Sequence, residues 1–453
     1  MTTTQQHNAL AELERLVNTR MRGDRAEEIS GLLEEAKLSD IIRLIEHSPV
    51  KRGAVLFRLL PPARAAAVFD ALDPRHQADM VHALGSDSVG EFFEGMGAED
   101  RVMLLDELPG PVAERLLKEL GEKDKENTDA VLGYEKGTVG RVMSPEIPEI
   151  YGEMTAHEVR ELLREQHEDL ETLYTLPVID HDRQLTGIVR MRRLFLADGD
   201  TAVADLLEDT PSVVATADAE ETARWFLPLA LLAMPVVDSG NRLLGIFTFD
   251  EAQHIVESED TEDSARQGGS ESLKQPYLST PLTSLVRSRI VWLLVLAVSA
   301  ILTVQVLDIF EEKMEQAVVL SLFIPLLTGT GGNTGNQAAT TVTRALALGD
   351  VKKSDVLKVM WREVRVGLML GAVLGTLGFG LATLVYGLDI GMVIGLTLLS
   401  ICTMSATVGG AMPIVAKTVG ADPAVFSNPF ISTFCDATGL IVYFLIATSI
   451  LGL

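Results

Sequence analysis

The stretch Ser427-Asn-Pro-Phe-Ile-Ser-Thr-Phe-Cys-Asp-Ala-Thr-Gly439 lies within the last apolar segment of the chain, residues 424–453. Asp436 is the one side chain of that segment that carries a charge at neutral pH. A charge at the centre of a membrane helix costs about 2.5–3.5 kcal/mol on insertion scales, and it persists mainly where it faces a partner, a water-filled path or an ion. The segment therefore predicts a membrane helix that contributes to an ion pathway.

Five segments in all are long and apolar enough to cross a bilayer. They are residues 290–310, 317–348, 366–386, 390–415 and 424–453. Basic residues concentrate before the first span, at Arg287 and Arg289, and in the loops after the second and fourth spans. By the positive-inside rule, the N-terminus is expected in the cytoplasm and the C-terminus outside.

The second predicted span contains Gly329-Thr-Gly-Gly-Asn-Thr-Gly-Asn-Gln337, which is unusually polar for a helix that faces lipid. Gly331 and Gly335 fit the small-residue spacing of helix packing, which is the simpler explanation. Packing does not require amides such as Asn336, whose oxygen suits a partly hydrated hard cation, so we favour a pore lining. A homodimer that brought two Asp436 side chains together would offer the few carboxylates that Mg²⁺ prefers.

Charge divides the chain into two parts. The formal charge of the whole chain is −26, yet the residues from Pro281 onward include ten basic and ten acidic side chains. An acidic region before a neutral apolar one argues against nucleic acid as a partner and suits the collection of cations, although solubility alone also explains it. Cys402 and Cys435 both lie in apolar segments and indicate neither a disulfide framework nor a zinc site.

Two repeats organise the acidic region. Apolar residues recur every twelve positions, at Leu60, Leu72, Leu84, Met96, Leu108 and Leu120, which predicts a superhelical stack of short helices. Further on, Thr175-Leu-Pro-Val-Ile-Asp180 recurs 58 residues later as Ala233-Met-Pro-Val-Val-Asp238. This second repeat resembles a tandem pair of α/β CBS modules, whose common role is to sense a small ligand.

The predicted fold class is a multidomain membrane protein. It comprises an α-helical superhelical N domain (1–125), CBS modules (138–200 and 201–262), a connecting, gating helix segment (263–289) and a five-helix transmembrane pore domain (290–453). The acidic run at residues 257–263 lies between the second module and the membrane spans, where a gating element is expected. Cations that neutralise such a run favour a compact state.

Together these motifs resemble the MgtE family of bacterial magnesium channels over nearly the whole chain. The resemblance implies a homodimer in the bacterial inner membrane that takes up Mg²⁺ and closes when cytosolic Mg²⁺ is high. It places ions in the pore at Asp436, Asn336, Thr340, Asn428 and Ser432. It places regulatory Mg²⁺ at Glu99, Asp218, Glu220, Asp250, Glu251, Glu259, Glu262 and Asp263.

Two positions depart from the family pattern, because Ala67 and Ala230 stand where the family has acids. The sensor is therefore expected to hold fewer ions or a weaker set. CBS pairs also bind adenine nucleotides, and Thr248 with Glu251 could hold the ribose of ATP. The position that matches Glu251 in the first module is Arg193, which argues against a second such site.

Two other functions remain open at this stage. A carrier that couples divalent cations to Na⁺ or H⁺ would use Asp436 equally well, although no second ionisable residue lies at mid-span. A CBS membrane receptor that senses nucleotide would leave Asp436 without a purpose. We do not expect an enzyme, because no nucleophile and base are paired and the eight histidines are scattered.

Overall fold

The computed structural model describes residues 15, 17, 26–85, 89–167, 170–273, 277, 278, 280–423 and 428–452, and at 26, 27, 63, 428 and 429 the backbone alone. The chain divides into two units. The N-terminal unit consists of Met1–Ser258 with Lys274–Thr280, and the membrane unit consists of Glu259–Leu273 with Pro281–Leu453.

Short helices follow one another through the first part of the N-terminal unit. They are α1 (Ala26–Glu35), α2 (Leu38–Glu46), α3 (Val50–Arg58), α4 (Pro62–Asp70), α5 (Pro74–Leu84), α6 (Gly90–Glu94), α7 (Ala98–Glu107), α8 (Gly110–Glu119) and α9 (Glu122–Leu132). Proline begins α4 and α5, where its missing N–H costs no hydrogen bond. Repeat positions such as Leu56, Phe69 and Leu104 are fully buried in one core, which confirms the predicted helical stack.

The last helix of this stack, α9, extends beyond residue 125, where we expected the N domain to end. Residues 122–126 are all charged and form the first turns of α9. The buried guanidinium of Arg101 donates to Asp124 at 3.1 Å, and Val131 packs against Val102 on α7. These contacts stabilise a helix where the sequence shows only charge.

Two α/β modules follow the helical stack. Their elements are α10 (Ala156–Gln166), β1 (Thr175–Ile179), β2 (Leu185–Arg190), α11 (Met191–Leu196), β3 (Val213–Val214), α12 (Ala219–Phe226), β4 (Ala233–Val237) and β5 (Leu243–Thr248). In the antiparallel pair β1–β2, Thr175 pairs with Arg190, and in β4–β5, Ala233 pairs with Thr248. The equal 58-residue offset of both partners confirms the internal repeat.

The two modules exchange segments across the boundaries expected from sequence. Val139, from the start of the first module, packs in the core around Phe247, whereas Val203 packs in the core around Leu176. A Cβ atom on Gly245 would lie 2.3 Å from the Ser144 carbonyl oxygen. The repeated glycine therefore leaves room for the incoming segment of the neighbouring module.

The long helix α13 (Phe249–Gln267) starts in the N-terminal unit, and its last residues belong to the membrane unit. The other helices of the membrane unit are α14 (Leu282–Ile309), α15 (Glu311–Gln316), α16 (Ile324–Ala347), α17 (Val356–Tyr386), α18 (Leu388–Thr418) and α19 (Asn428–Leu451). The connecting segment predicted at 263–289 is therefore not one helix. Its first residues end α13, and its last eight residues begin α14, because Gly268, Gly269 and Pro281 interrupt the helical pattern.

Among the described residues, four helices are long and apolar enough to cross a membrane, namely α14, α17, α18 and α19. The remaining predicted span, the second one at residues 317–348, corresponds to α16, which is long enough at 24 residues but carries the polar glycine-rich stretch. It packs between the others: a Cβ on Gly335 would lie 2.7 Å from Ile431 Cγ2 of α19, and one on Gly331 would lie 2.6 Å from Ile401 Cγ2 of α18. Protein contacts thus replace lipid contacts along this helix.

Candidate ion path and acidic cluster

The candidate ion path lies where α16 meets α19. Asn336 Nδ2 of α16 donates a hydrogen bond to Ser432 Oγ of α19 at 2.9 Å. Asp436 follows one turn after Ser432 on the same face of α19. A Cβ on Gly332 would lie 3.5 Å from Ser432 Oγ and 3.7 Å from Asp436 Oδ1. The structure therefore brings together Asn336, Ser432 and Asp436 beside a glycine of the second predicted span.

Oxygen atoms at this position lack protein partners. Asn336 Oδ1 is buried and accepts no hydrogen bond. Within the described part of the chain, no hydrogen bond or ion pair joins the half-buried Asp436 carboxylate to another residue. A buried amide oxygen and a carboxylate without partners are costly in a protein interior, so this arrangement suits a cation with some of its water.

The remaining pore predictions differ in outcome. Thr340 lies two turns beyond Gly332 on α16 and is exposed. The amides Asn333 and Gln337, which share the glycine-rich stretch, are exposed too. The side chain of Asn428 lies outside the described residues, although the backbone of α19 starts at that position.

A second group of polar residues lies in the N-terminal unit, and we call it the acidic cluster. Its members are Asp70, Glu99, Asp100, Glu146, Glu171, Asp250 and Glu251. Glu99 and Asp100 occupy the first turn of α7, and Asp250 and Glu251 occupy the first turn of α13. Helix N-termini favour negative charge, which partly offsets the repulsion between these carboxylates.

Burial and repulsion between the carboxylates together raise pKa values in the acidic cluster. Burial raises the pKa of Glu251 to about 8, and the nearby Asp100 carboxylate adds to the shift. Burial likewise raises the pKa of Asp100 to about 7, with Asp70 as the next cause. The pKa of Glu99 lies well above its ordinary value because of burial and the Glu171 carboxylate. The cluster thus lacks enough positive charge to hold all its carboxylates ionised.

Two carboxylate oxygens of the cluster lack hydrogen-bond partners, which agrees with its shortage of positive charge. Glu99 Oε2 and Glu251 Oε1 are buried and have no hydrogen-bond partner. Carboxylate oxygens are the ligands that Mg²⁺ takes in proteins, so the donor set fits this ion. Of the predicted regulatory residues, the structure therefore brings Glu99, Asp250 and Glu251 together.

Two predicted sensor residues have structural partners instead. Asp218 caps α12, where its Oδ1 accepts the backbone N–H of Glu221 at 2.8 Å. Glu220 accepts a hydrogen bond from Arg224 Nε at 2.8 Å. Neither acts on the pKa values of the acidic cluster, so their regulatory role stays a prediction.

The other predicted sensor residues, Glu259, Glu262 and Asp263, lie on the part of α13 that belongs to the membrane unit. Glu262 forms an ion pair with Arg266, which also contacts Asp422 in the loop before α19. A cation at Glu262 would therefore compete with Arg266. The spacing of four residues on a helix could have predicted this pair.

The nucleotide prediction concerns Thr248 at the end of β5, Glu251 shortly after it, and Arg193 at the position that corresponds to Glu251 in the first module. Thr248 ends β5 and is only 8% exposed. Glu251, its suggested partner for a ribose, belongs to the acidic cluster. In the first module, Arg193 donates to the Leu207 carbonyl at 3.4 Å and lies 3.9 Å from Glu208.

Sequence reasoning missed four members of the acidic cluster, namely Asp70, Asp100, Glu146 and Glu171. Asp100 directly follows Glu99 in the chain, and this adjacency could have identified it as a member of the acidic cluster. Asp70 lies one turn after Ala67 on α4 and acts on Asp100 and Glu171, so it supplies a carboxylate near Ala67. Glu171 lies in a loop, where no periodicity points to it.

Comparison with family models finds three matches along the chain. The model described as the MgtE intracellular N domain matches residues 36–137, the CBS domain model matches 139–200, and the model described as a divalent cation transporter matches 324–446. The N-domain match continues past α9, in agreement with the helix that ends at Leu132.

Relatives with the same architecture are magnesium transporters. The magnesium transporter MgtE of Thermus thermophilus is 35% identical over 342 residues, which cover 75% of each chain. The magnesium transporter MgtE of Enterococcus faecalis is 33% identical over 70% of each chain. The solved cytosolic domain of the Mg²⁺ channel MgtE in complex with ATP is 29% identical, with 54% of this chain and 99% of that chain covered and a TM-score of 0.49. From the identity and coverage of these relatives, the chain belongs to the MgtE family of magnesium transporters, which are membrane proteins and not enzymes.

Proposed function

We propose that this protein is a Mg²⁺-selective channel for magnesium uptake that cytosolic Mg²⁺ closes through the acidic cluster. The observation that carries the proposal is that Glu99 Oε2 and Glu251 Oε1 are buried without a hydrogen-bond partner, in a carboxylate cluster where burial raises the pKa of both groups. A bound Mg²⁺ supplies the charge that lets these carboxyl groups ionise together.

The acidic cluster contains residues from two parts of the N-terminal unit. Glu99 and Asp100 come from α7 of the helical stack, whereas Asp250 and Glu251 come from α13, which follows the second CBS module. Ionised carboxylates without a counter-ion repel one another and separate these elements. At high cytosolic Mg²⁺ the same residues hold the helical stack against the start of α13. The distance between the helical stack and the start of α13 therefore depends on the Mg²⁺ concentration.

The other end of α13 supports a connection to the ion path. Arg266 contacts Asp422 in the loop before α19, the helix that carries Asp436. Asp260 lies 3.6 Å from Arg344 near the end of α16, the helix that carries Asn336. We infer that movement of α13 changes the position of both helices. A change from mostly open to mostly closed requires about 5.5 kcal/mol of differential binding, which several weak sites can supply together.

Homodimer formation and orientation complete the proposal. Asp436 alone offers one carboxylate, and a second copy of the chain would supply another beside the same path. Arg287 and Arg289 near the start of α14 favour a cytoplasmic N-terminus in the inner membrane, with the C-terminus outside.

ATP binding at the CBS modules is a separate proposal, and its support is narrower. Thr248 is placed at the end of β5, but Glu251 takes part in the acidic cluster. We therefore propose that ATP and regulatory Mg²⁺ influence each other through Glu251. Equilibrium dialysis of ATP against the full-length protein, with and without Mg²⁺, tests this coupling, and equal ATP binding in both conditions argues against it.

The test of the channel is current through excised membrane patches while free Mg²⁺ is stepped on the cytoplasmic face. We expect openings that disappear as Mg²⁺ rises, and no current from the Asp436→Asn variant. Asp389→Asn, an exposed carboxylate at the start of α18, is the matched control and is expected to conduct normally. Absence of current from the unmodified protein, together with Mg²⁺ uptake that requires a Na⁺ or H⁺ gradient, would favour a coupled carrier instead.

A further inference from the structure

Glu46, Asp73 and His76 lie together in the helical stack and share no residue with the ion path or the acidic cluster. One carboxylate oxygen of Glu46, one of Asp73 and one imidazole nitrogen of His76 all lie within 4.8 Å of one another. Glu46 ends α2, Asp73 is the N-cap of α5 and His76 lies in the first turn of α5. Two helices thus direct three potential ligands to one point.

Local structure fixes two of the three side chains. Asp73 Oδ1 accepts the backbone N–H groups of Arg75 and His76 at 2.8 and 3.1 Å. Asp73 Oδ2 and His76 Nδ1 lie 2.7 Å apart and are joined by a hydrogen bond, whose proton is released to solvent when a metal binds both atoms. The His76 residue is only 6% exposed, so its ring is held by the surrounding core. Ligands whose orientation is set before the metal arrives bind it more tightly.

The third side chain, Glu46, is half-buried and lacks a partner. Within the described part of the chain, its carboxylate makes no hydrogen bond and no ion pair. A structural capping pair accounts for Asp73 and His76 but leaves this carboxylate without a role. A cation between the three groups would satisfy it.

We propose that Glu46, Asp73 and His76 form a binding site for one borderline divalent cation, such as Zn²⁺ or Co²⁺. Mg²⁺ takes oxygen ligands almost exclusively, whereas an imidazole combined with carboxylates suits these softer ions. Metal–ligand bonds of about 2.0–2.2 Å require neighbouring donor atoms to lie about 3–3.5 Å apart. Rotation of the Glu46 side chain closes the remaining gap, and water completes the coordination.

The test uses the full-length protein in detergent, with an excess of Mg²⁺ that occupies the oxygen-only sites. Zn²⁺ is titrated in competition with a chromogenic zinc indicator, which reports stoichiometry and affinity. We expect one Zn²⁺ per chain, bound at least about tenfold more weakly after His76→Gln or Glu46→Gln. His82→Gln is the matched control, because His82 is an exposed imidazole on the same helix, and we expect it to bind Zn²⁺ like the unmodified protein.

Two results would overturn the proposal: no Zn²⁺ binding by the unmodified protein in excess Mg²⁺, or unchanged affinity in both ligand variants. Glu46→Gln preserves the shape of a half-buried side chain at a helix end, so we expect this variant to fold. If His76→Gln does not fold, the Zn²⁺ affinity of Glu46→Gln tests the proposal. With Co²⁺ as the probe, visible absorption bands that depend on His76 would identify the imidazole as a ligand.

Discussion

Asn336 of α16 and Ser432 of α19 are joined by a hydrogen bond of 2.9 Å, one turn away from Asp436. The bond uses the amide nitrogen of Asn336, so its amide oxygen remains buried and free of hydrogen bonds. Gly332, one turn before Asn336, lets the two helices approach at the level of Asp436. The hydrogen bond therefore orients a neutral oxygen ligand beside a charged one.

The Asn336→Ala variant is expected to reduce Mg²⁺ current by about tenfold or more, which corresponds to the loss of roughly 1.4 kcal/mol of ligand interaction. The measurement is single-channel conductance in patches held at low cytoplasmic Mg²⁺. Asn333→Ala is the matched control, since Asn333 is the same residue type on the same helix but is exposed. Equal loss in both variants would mean that α16 is merely destabilised and that Asn336 is no ligand.

The double variant Glu99→Gln/Glu251→Gln is expected to raise the cytoplasmic Mg²⁺ concentration that half-closes the channel by about tenfold or more. Both changes keep the side-chain shape and remove two carboxylates of the acidic cluster. Glu221→Gln is the control, because Glu221 is exposed on α12. If the double variant closes at the same Mg²⁺ concentration as the unmodified protein, the acidic cluster is not the sensor.

The raised pKa values of the acidic cluster predict a pH dependence of stability. Glu251 and Asp100 have pKa values of about 8 and 7 in the folded protein, above their ordinary values of 4.5 and 3.8. The folded state therefore binds protons more tightly than the unfolded state, and this contribution to stability is lost as the pH rises through 7 and 8.

Mg²⁺ is consequently expected to raise the thermal unfolding midpoint more at pH 8.5 than at pH 6. The measurement is unfolding of the full-length protein in detergent with Mg²⁺ or with a chelator at both pH values. In Glu251→Gln the difference between the two pH values is expected to shrink. A stabilisation by Mg²⁺ that is independent of pH would separate Mg²⁺ binding from these carboxyl groups.

The sequence predicted those features of the fold that repeat or that match a bilayer. The twelve-residue period predicted the buried positions of the helical stack, and the 58-residue offset predicted the paired strands β1–β2 and β4–β5. The exchange of Val139 and Val203 between module cores could not be predicted, because it depends on contacts between segments far apart in the chain. The same holds for α9, because the sequence does not show that Asp124 on its charged surface pairs with the buried Arg101 of α7.

The candidate sites were predicted in part, for a similar reason. Asp436 and Asn336 were recognisable because polar groups are rare in membrane segments. In the acidic N-terminal unit, by contrast, a carboxylate is common, and burial alone distinguishes Glu171 from its neighbours. Asp218 and Glu262 each have a local partner that sequence reasoning did not consider, and their regulatory role stays a prediction.

Ala230, at which we expected a departure from the family pattern, has a conformation that alanine rarely adopts. Its φ is 53° and its ψ is 31°, in the left-handed region, and the residue is exposed. This conformation costs an ordinary residue about 1–2 kcal/mol, whereas glycine, and to a lesser degree aspartate and asparagine, tolerate it. Alanine at this position therefore carries backbone strain and supplies no carboxylate.

Ala230→Gly is expected to raise the free energy of unfolding by about 1 kcal/mol through relief of that strain. Ala71→Gly is the control, because Ala71 is also an exposed alanine at a helix end but has an ordinary φ of −81°, and there the change is expected to destabilise. Ala230→Asp is expected to relieve part of the strain and also to lower the Mg²⁺ concentration that half-closes the channel. The glycine variant relieves the strain without adding a carboxylate. Comparison of the two variants in thermal unfolding and in channel closure therefore separates the effect on stability from the effect on Mg²⁺ sensing. If both variants close the channel at the same Mg²⁺ concentration, a carboxylate at residue 230 has no part in sensing.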